Sequence, residues 1–135
     1  MPAKDRYHDA VKRALVKDGW MIADEQVQLL IDSRILYIDM EVAHPTKEST
    51  LLIEVKELYS VPSPVDALAA AVGKYVMYRA GLRNAGVSNP IYLAVSLQAY
   101  QNILTEKVGQ LMMAEAQLLI LVFDPDQEVV VQWIP

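Results

Sequence analysis

The chain has 135 residues, enough for one domain with a sizeable core. Hydrophobic residues make up 53% and charged ones 21%, which excludes a disordered chain, and no apolar run reaches the length of a membrane span. The formal charge of −5 argues against a strong, unaided electrostatic grip on nucleic acid, and without cysteine there is no disulfide or thiolate metal site.

The opening residues, Met1 to Asp5, lack the apolar stretch of a secretory signal, so a cytoplasmic location is expected. Residues 4–18 read as a first helix stopped at Gly19, with Tyr7, Ala10, Val11, Ala14 and Leu15 recurring on its buried face. Asp5, His8, Asp9, Lys12 and Arg13 cover the other side. Residues 20–26 read as a transition. Three strands follow, over 27–31, 34–43 and 50–58, and would form an antiparallel meander. Asp32-Ser33 is its first turn, although no glycine is present to favour a tight one.

Ser63 as N-cap and Pro64 at the first helical position open a second helix, to about residue 83. Its small residues at 67–73 suit close packing on a sheet. Residues 90–95 form an apolar, central strand. Helical pieces over 96–104 and 106–116 come next, then strands over 117–123 and 128–133 joined by the turn Asp124-Pro125-Asp126-Gln127. This order defines a single α/β domain over residues 1–135, an α+β fold with a mixed sheet.

Chemistry concentrates on two strands. Asp39 lies near the end of the second, and Glu54-Val55-Lys56 lies in the third. Alternate side chains share a face, so Glu54 and Lys56 point together and Val55 points away. With Asp39 across from Glu54, two carboxylates and an ammonium meet at one spot. Such a set can hold a divalent cation and position a water. It can equally be an ion pair on a wet sheet face, worth little energetically. Elsewhere the signals are plain. Glu41 reads as a surface acid, His8 as a helix-surface or capping residue, and His44 as an isolated loop residue. Arg79 and Arg83, one turn apart, read as an exposed helix face. There is no Gly-rich phosphate loop, nucleophile elbow or zinc signature.

The αβββαβ order, with Asp39 on the second strand and Glu54-Val55-Lys56 on the third, resembles the restriction-endonuclease-like core of the PD-(D/E)xK superfamily. The resemblance implies a catalytic set of Asp39, Glu54 and Lys56. Asp39 and Glu54 would ligate Mg²⁺ or Mn²⁺, the Val55 carbonyl would add an oxygen ligand, and Lys56 would orient or activate the attacking water. It also implies an acid from the first helix, with Asp9 the first choice and Asp5 the next. Asp39 lacks the preceding proline that gives the motif its name.

At a finer level, almost the whole chain resembles the XisH family, the fdxN-element excision controlling factors of cyanobacteria. The likeness is carried by Pro2-Ala3-Lys4-Asp5, Tyr7-His8-Asp9-Ala10-Val11, Lys17-Asp18-Gly19-Trp20 and Leu36-Tyr37-Ile38-Asp39. It continues through Glu54-Val55-Lys56, Tyr75 to Arg79, Tyr92-Leu93-Ala94-Val95 and Phe123-Asp124-Pro125, and ends at Trp133-Ile134-Pro135. The family implies a role in programmed excision of a DNA element during heterocyst development, beside a site-specific recombinase and a companion protein, XisI. DNA is the implied substrate. Where members commonly carry Gln, this chain has Lys74, which with Tyr78 is the expected substrate contact. The Lys74 ammonium would either touch phosphate or fill the metal's place. A second reading is therefore a non-catalytic regulatory module that uses the nuclease-like scaffold to bind the companion. Free sheet edges would also permit a homodimer.

Overall fold

The computed structural model describes residues 5–135. Lys4, the expected start of the first helix, and the Pro2-Ala3-Lys4 part of the family pattern lie outside the described residues. Helix α1 (His8–Lys17) is followed by strands β1 (Met21–Ile31), β2 (Arg34–His44) and β3 (Ser49–Val55). Helix α2 (Pro64–Asn84) leads to β4 (Ile91–Ser96), and α3 (Leu97–Gln101) and α4 (Lys107–Ala116) lead to the closing pair β5 (Ile120–Asp124) and β6 (Val129–Ile134).

The six strands form one sheet in sequence order. The meander β1-β2-β3 is antiparallel, β3, β4 and β5 run parallel, and β6 returns antiparallel. Parallel neighbours need crossovers, and these supply α2, α3 and α4 on one side of the sheet, while α1 covers the other. Val11 and Leu15 of α1 pack with Met40, Ile53, Val55 and Phe123 on one face. Leu68, Tyr75 and Tyr78 of α2 join Leu104, Ala116, Leu93 and Ile120 on the other. The α+β mixed sheet, the αβββαβ order, the helical pair and the final hairpin are all present. Among the described residues, no helix is long and apolar enough to cross a membrane.

Local chemistry accounts for the boundaries that sequence anticipates. The Ser63 hydroxyl accepts a hydrogen bond from the Asp66 N–H at 3.2 Å, and Pro64 opens α2. The turn after β5 closes on Asp124, whose carboxylate accepts from Asp126 N–H at 2.8 Å. Asp32 takes the left-handed conformation, with φ 51°, so the β1–β2 turn needs no glycine.

Other boundaries differ. β1 begins at Met21, six residues earlier than expected, because a bulge between Ile22 and Asp24 and a left-handed Gln26 (φ 53°) break the alternation that marks a strand. β3 ends at Val55, so Lys56 sits just beyond the strand. Gln117, expected to open a strand, instead caps α4 in the left-handed conformation at φ 52°. His8 is fully buried, contrary to its expected surface position.

The site follows from a mismatch in strand length. β3 pairs with β2 only from His44↔Ser49 to Met40↔Ile53, while β2 continues along β1 to Arg34. Asp39 and Glu54 are the first residues past the end of that ladder.

Candidate functional site

At the point where the ladder stops, side chains replace backbone partners. The Asp39 N–H donates to Glu54 Oε1 at 3.2 Å, and the Val55 N–H donates to Asp39 Oδ2 at 2.7 Å. The two carboxylates are thereby fixed by each other's strands. They open onto a cavity of about 480 Å³, with Val55, Lys56, Lys74 and Tyr78 on its walls and Tyr37 and Asp5 beside them. Sequence reasoning thus brings Asp39, Glu54, Lys56, Lys74 and Tyr78 to one place, and the structure does the same.

Burial makes the carboxylates unusual. Glu54 is only 7% exposed, and burial together with the neighbouring Asp39 charge pushes its carboxyl up to about 8. The Asp39 N–H and the Lys74 ammonium act in the opposite direction without restoring it. Burial also raises Asp39, against the pull of the Val55 N–H and the charge of His8. Near pH 7 the pair therefore retains a proton, centred on Glu54. Burial, then the charges of Glu54 and Asp39, raise the Tyr78 phenol as well, so it stays a neutral hydroxyl on the cavity wall.

The supporting residues are sorted by the structure. Asp5 lines the cavity and is tied down, accepting from Tyr7 N–H at 3.0 Å and Glu57 N–H at 2.9 Å. Asp9, the first-choice helix acid, is exposed and borders a different groove on α1 with Lys12, Arg13 and Lys17. The Lys56 side chain makes no hydrogen bond or ion pair among the described residues. Arg79 is structural: its guanidinium donates to Ala116 O at 2.6 Å at the end of α4 and lies over the Tyr75 ring.

His8 was missed as a site residue. Its Nε2 lies 3.0 Å from Glu25 Oε1, and Lys12 Nζ donates to Glu25 Oε2 at 2.9 Å. Hydrogen bonds from His8 and Lys12 pull Glu25 down to about 2. The other ring nitrogen, Nδ1, stands 4.0 Å from Asp39 Oδ1 and has no hydrogen-bond partner. A signal was available, since His8, Val11 and Leu15 fall on one helical stripe. Its partner Glu25 lies on the part of β1 that does not read as a strand.

Among the described residues, no cluster of three or more His, Asp or Glu side chains is grouped to hold a metal. Asp39 instead belongs to two pairs, one with Glu54 and one with His8. A two-carboxylate pair with a backbone carbonyl beside it suits a hard divalent ion that keeps much of its own water.

Fold and site together define the class: a mixed-sheet α+β protein with a buried and a half-buried carboxylate where β2 and β3 part. The XisH protein family matches residues 1–131, and the chain belongs to that family. It is similar to the crystal structure of an XisH family protein from Nostoc punctiforme, with 30% identity and a TM-score of 0.89, covering 97% of this chain and all (100%) of that one. It is equally similar to an fdxN element excision controlling factor protein from Anabaena variabilis, at 30% identity and a TM-score of 0.89, covering 98% and 100%. Pyrococcus furiosus SfsA in complex with Ca²⁺ matches at a TM-score of 0.43 and 10% identity over 94% of this chain and 59% of that one. That likeness is too distant to speak to chemistry. Comparison with curated proteins found no match.

Proposed function

We propose that this chain is a controlling factor for excision of a DNA element and that it acts through metal-dependent phosphodiester cleavage at the Asp39–Glu54 cavity. The observation that carries the reading is the pair of carboxylates, Glu54 buried and Asp39 half-buried, held in place by reciprocal backbone bonds and raised together in pKa. A buried acid beside a half-buried one costs folding stability, and a divalent cation is their natural complement. Asp39, Glu54 and the Val55 carbonyl would hold Mg²⁺ or Mn²⁺, which supplies Lewis acidity and a more acidic bound water. Lys56, free of other partners among the described residues, would orient that water toward phosphorus. Lys74 and Tyr78 would receive the phosphate oxygens, one as a charge and the other as a neutral donor.

The test is cleavage of linear, nicked and branched DNA with Mg²⁺ or Mn²⁺, alone and with the companion protein present. Cleavage lost in both Glu54→Ala and Lys56→Ala supports the reading. No cleavage of any substrate contradicts it.

A second reading is favoured by the outer face of α2, where Val65, Val76 and Met77 are exposed, and by the charge of −5. It makes the chain a non-catalytic scaffold whose companion protein docks on that helix. Co-purification with the companion that survives Glu54→Ala and fails in Met77→Asp would favour it.

A further inference from the structure

We infer that the outer face of α2 is the interface between two copies of this chain, paired antiparallel about a two-fold axis at Gly73. The inference is independent of the chemistry proposed at the Asp39–Glu54 cavity.

A helix on the surface of a folded chain ordinarily turns a charged or polar face to water. α2 does not. Val65, Val76 and Met77 are 50%, 40% and 51% exposed, and Ala69, Ala70 and Gly73 between them are exposed as well. Glycine is the poorest helix former after proline, yet Gly73 stands near the middle of this 21-residue helix. The fold of the single chain does not call for it, since a Cβ added there meets no atom within 4 Å. A second backbone approaching from outside would call for it.

The pattern of side chains selects the partner. In an antiparallel pair with Gly73 on the axis, a residue before Gly73 in one copy faces the residue equally far beyond it in the other. Ala69 and Ala70 of one copy then receive Val76 and Met77 of the other, bulky side chains over small ones, and the two-fold repeats the match. The charges obey the same symmetry. Asp66 lies in the first turn of α2 and Arg83 in the last, and neither side chain has a hydrogen bond or ion pair among the described residues. Pairing brings Arg83 of one copy within about one helical turn of Asp66 of the other, and it sets the two helix dipoles in opposition. A face whose two halves fit each other suits a second copy, whereas an unrelated partner needs no such match. The sheet edges are poorer candidates. β1 carries Asp24, Glu25, a bulge and the left-handed Gln26, and the pairing of β6 is irregular between Val122 and Phe123. Two helix faces make a small interface, so weak, concentration-dependent association is expected.

Sedimentation equilibrium on the whole chain, from about 1 μM to about 1 mM, reads the dimer. Gly73→Leu fills open space on the single chain and blocks the axis, so the fold should stand and dimerisation should weaken about 100-fold. Asp66→Arg and Arg83→Asp should each weaken it roughly two- to fivefold, and the two together should restore it. The chain has no cysteine, so a single introduced one reports the register. Under mild oxidation Gly73→Cys should crosslink two copies, whereas Val65→Cys, about 24 Å from its counterpart along the helix, should not. A dimer indifferent to Gly73→Leu, or equal crosslinking from both positions, overturns the inference. So does a chain that stays monomeric throughout that range, whether or not α2 then takes the companion protein instead.

Discussion

Glu25 and Glu54 lie on the strands that flank β2, and the sheet moves their acidities in opposite directions. Glu25 is half-buried, bonded to His8 and Lys12, and drawn down to about 2. Glu54 is buried beside a second acid and driven up to about 8. The same side chain is a structural tie in one place and a source of repulsion in the other. Burial of a charge stabilises only when a partner comes with it. Glu25 has its partners within the chain, and for Glu54 the partner we propose is a divalent ion.

The largest expected effect is on chemistry. Glu54→Ala should lower metal-dependent cleavage by about 10³-fold, the several kcal/mol that a positioned ion contributes to a phosphoryl transition state, as read by single-turnover assay. Retained cleavage would make Glu54 as passive as Glu25. The next effect is on stability without metal. Glu54→Gln should stabilise the chain by about 1–3 kcal/mol at pH 8, measured by denaturant unfolding. The sign follows from linkage. The folded pKa of about 8 lies above the ordinary 4.5, so wild-type stability falls as pH rises through that window. The advantage of Glu54→Gln should therefore vanish near pH 4.

Ion uptake should also release protons. At pH 7 about one proton per ion is expected, because binding strips the proton centred on Glu54, and calorimetry in buffers of different ionisation enthalpy reads it directly. Glu25 gives the opposite and smaller response. Its depressed pKa contributes stability above the ordinary 4.5 that is lost as pH falls toward 2. Glu25→Ala should cost about 1 kcal/mol or less at pH 7, since solvent screens so exposed a group, and the difference should close near pH 2. Smallest of all is Arg13→Ala. It removes an exposed pair with Glu128, and the melting temperature should move slightly at low salt and not at high salt.

Much of this was legible in the residues. Ser63-Pro64 marked the start of α2, Asp124-Pro125 marked the last turn, and the apolar run at 90–95 marked an interior strand, one residue from the observed β4. Asp39 and Glu54 were legible as a pair because strand alternation and hairpin order are local properties. What lay hidden depended on distant contacts. Lys56 read as a strand residue, but pairing ends at Val55. The resemblance put Asp9 ahead of Asp5 as the first-helix acid, whereas the fold carries Asp5 and not Asp9 to the cavity. His8 shares its stripe with Val11 and Leu15, yet polarity placed it outside. Its burial depends on Glu25, and the bulge and the left-handed Gln26 concealed the strand that presents that residue.

Asp39 joins both pairs, so it tests the account most directly. Mn²⁺ should be titrated calorimetrically at pH 7 into the wild type and into Asp39→Asn, with melting temperature followed in parallel. One ion per chain in the wild type, raising the melting temperature and absent in Asp39→Asn, is the predicted result. Identical isotherms for the two, or no uptake by the wild type, would contradict a metal centre at this end of the sheet.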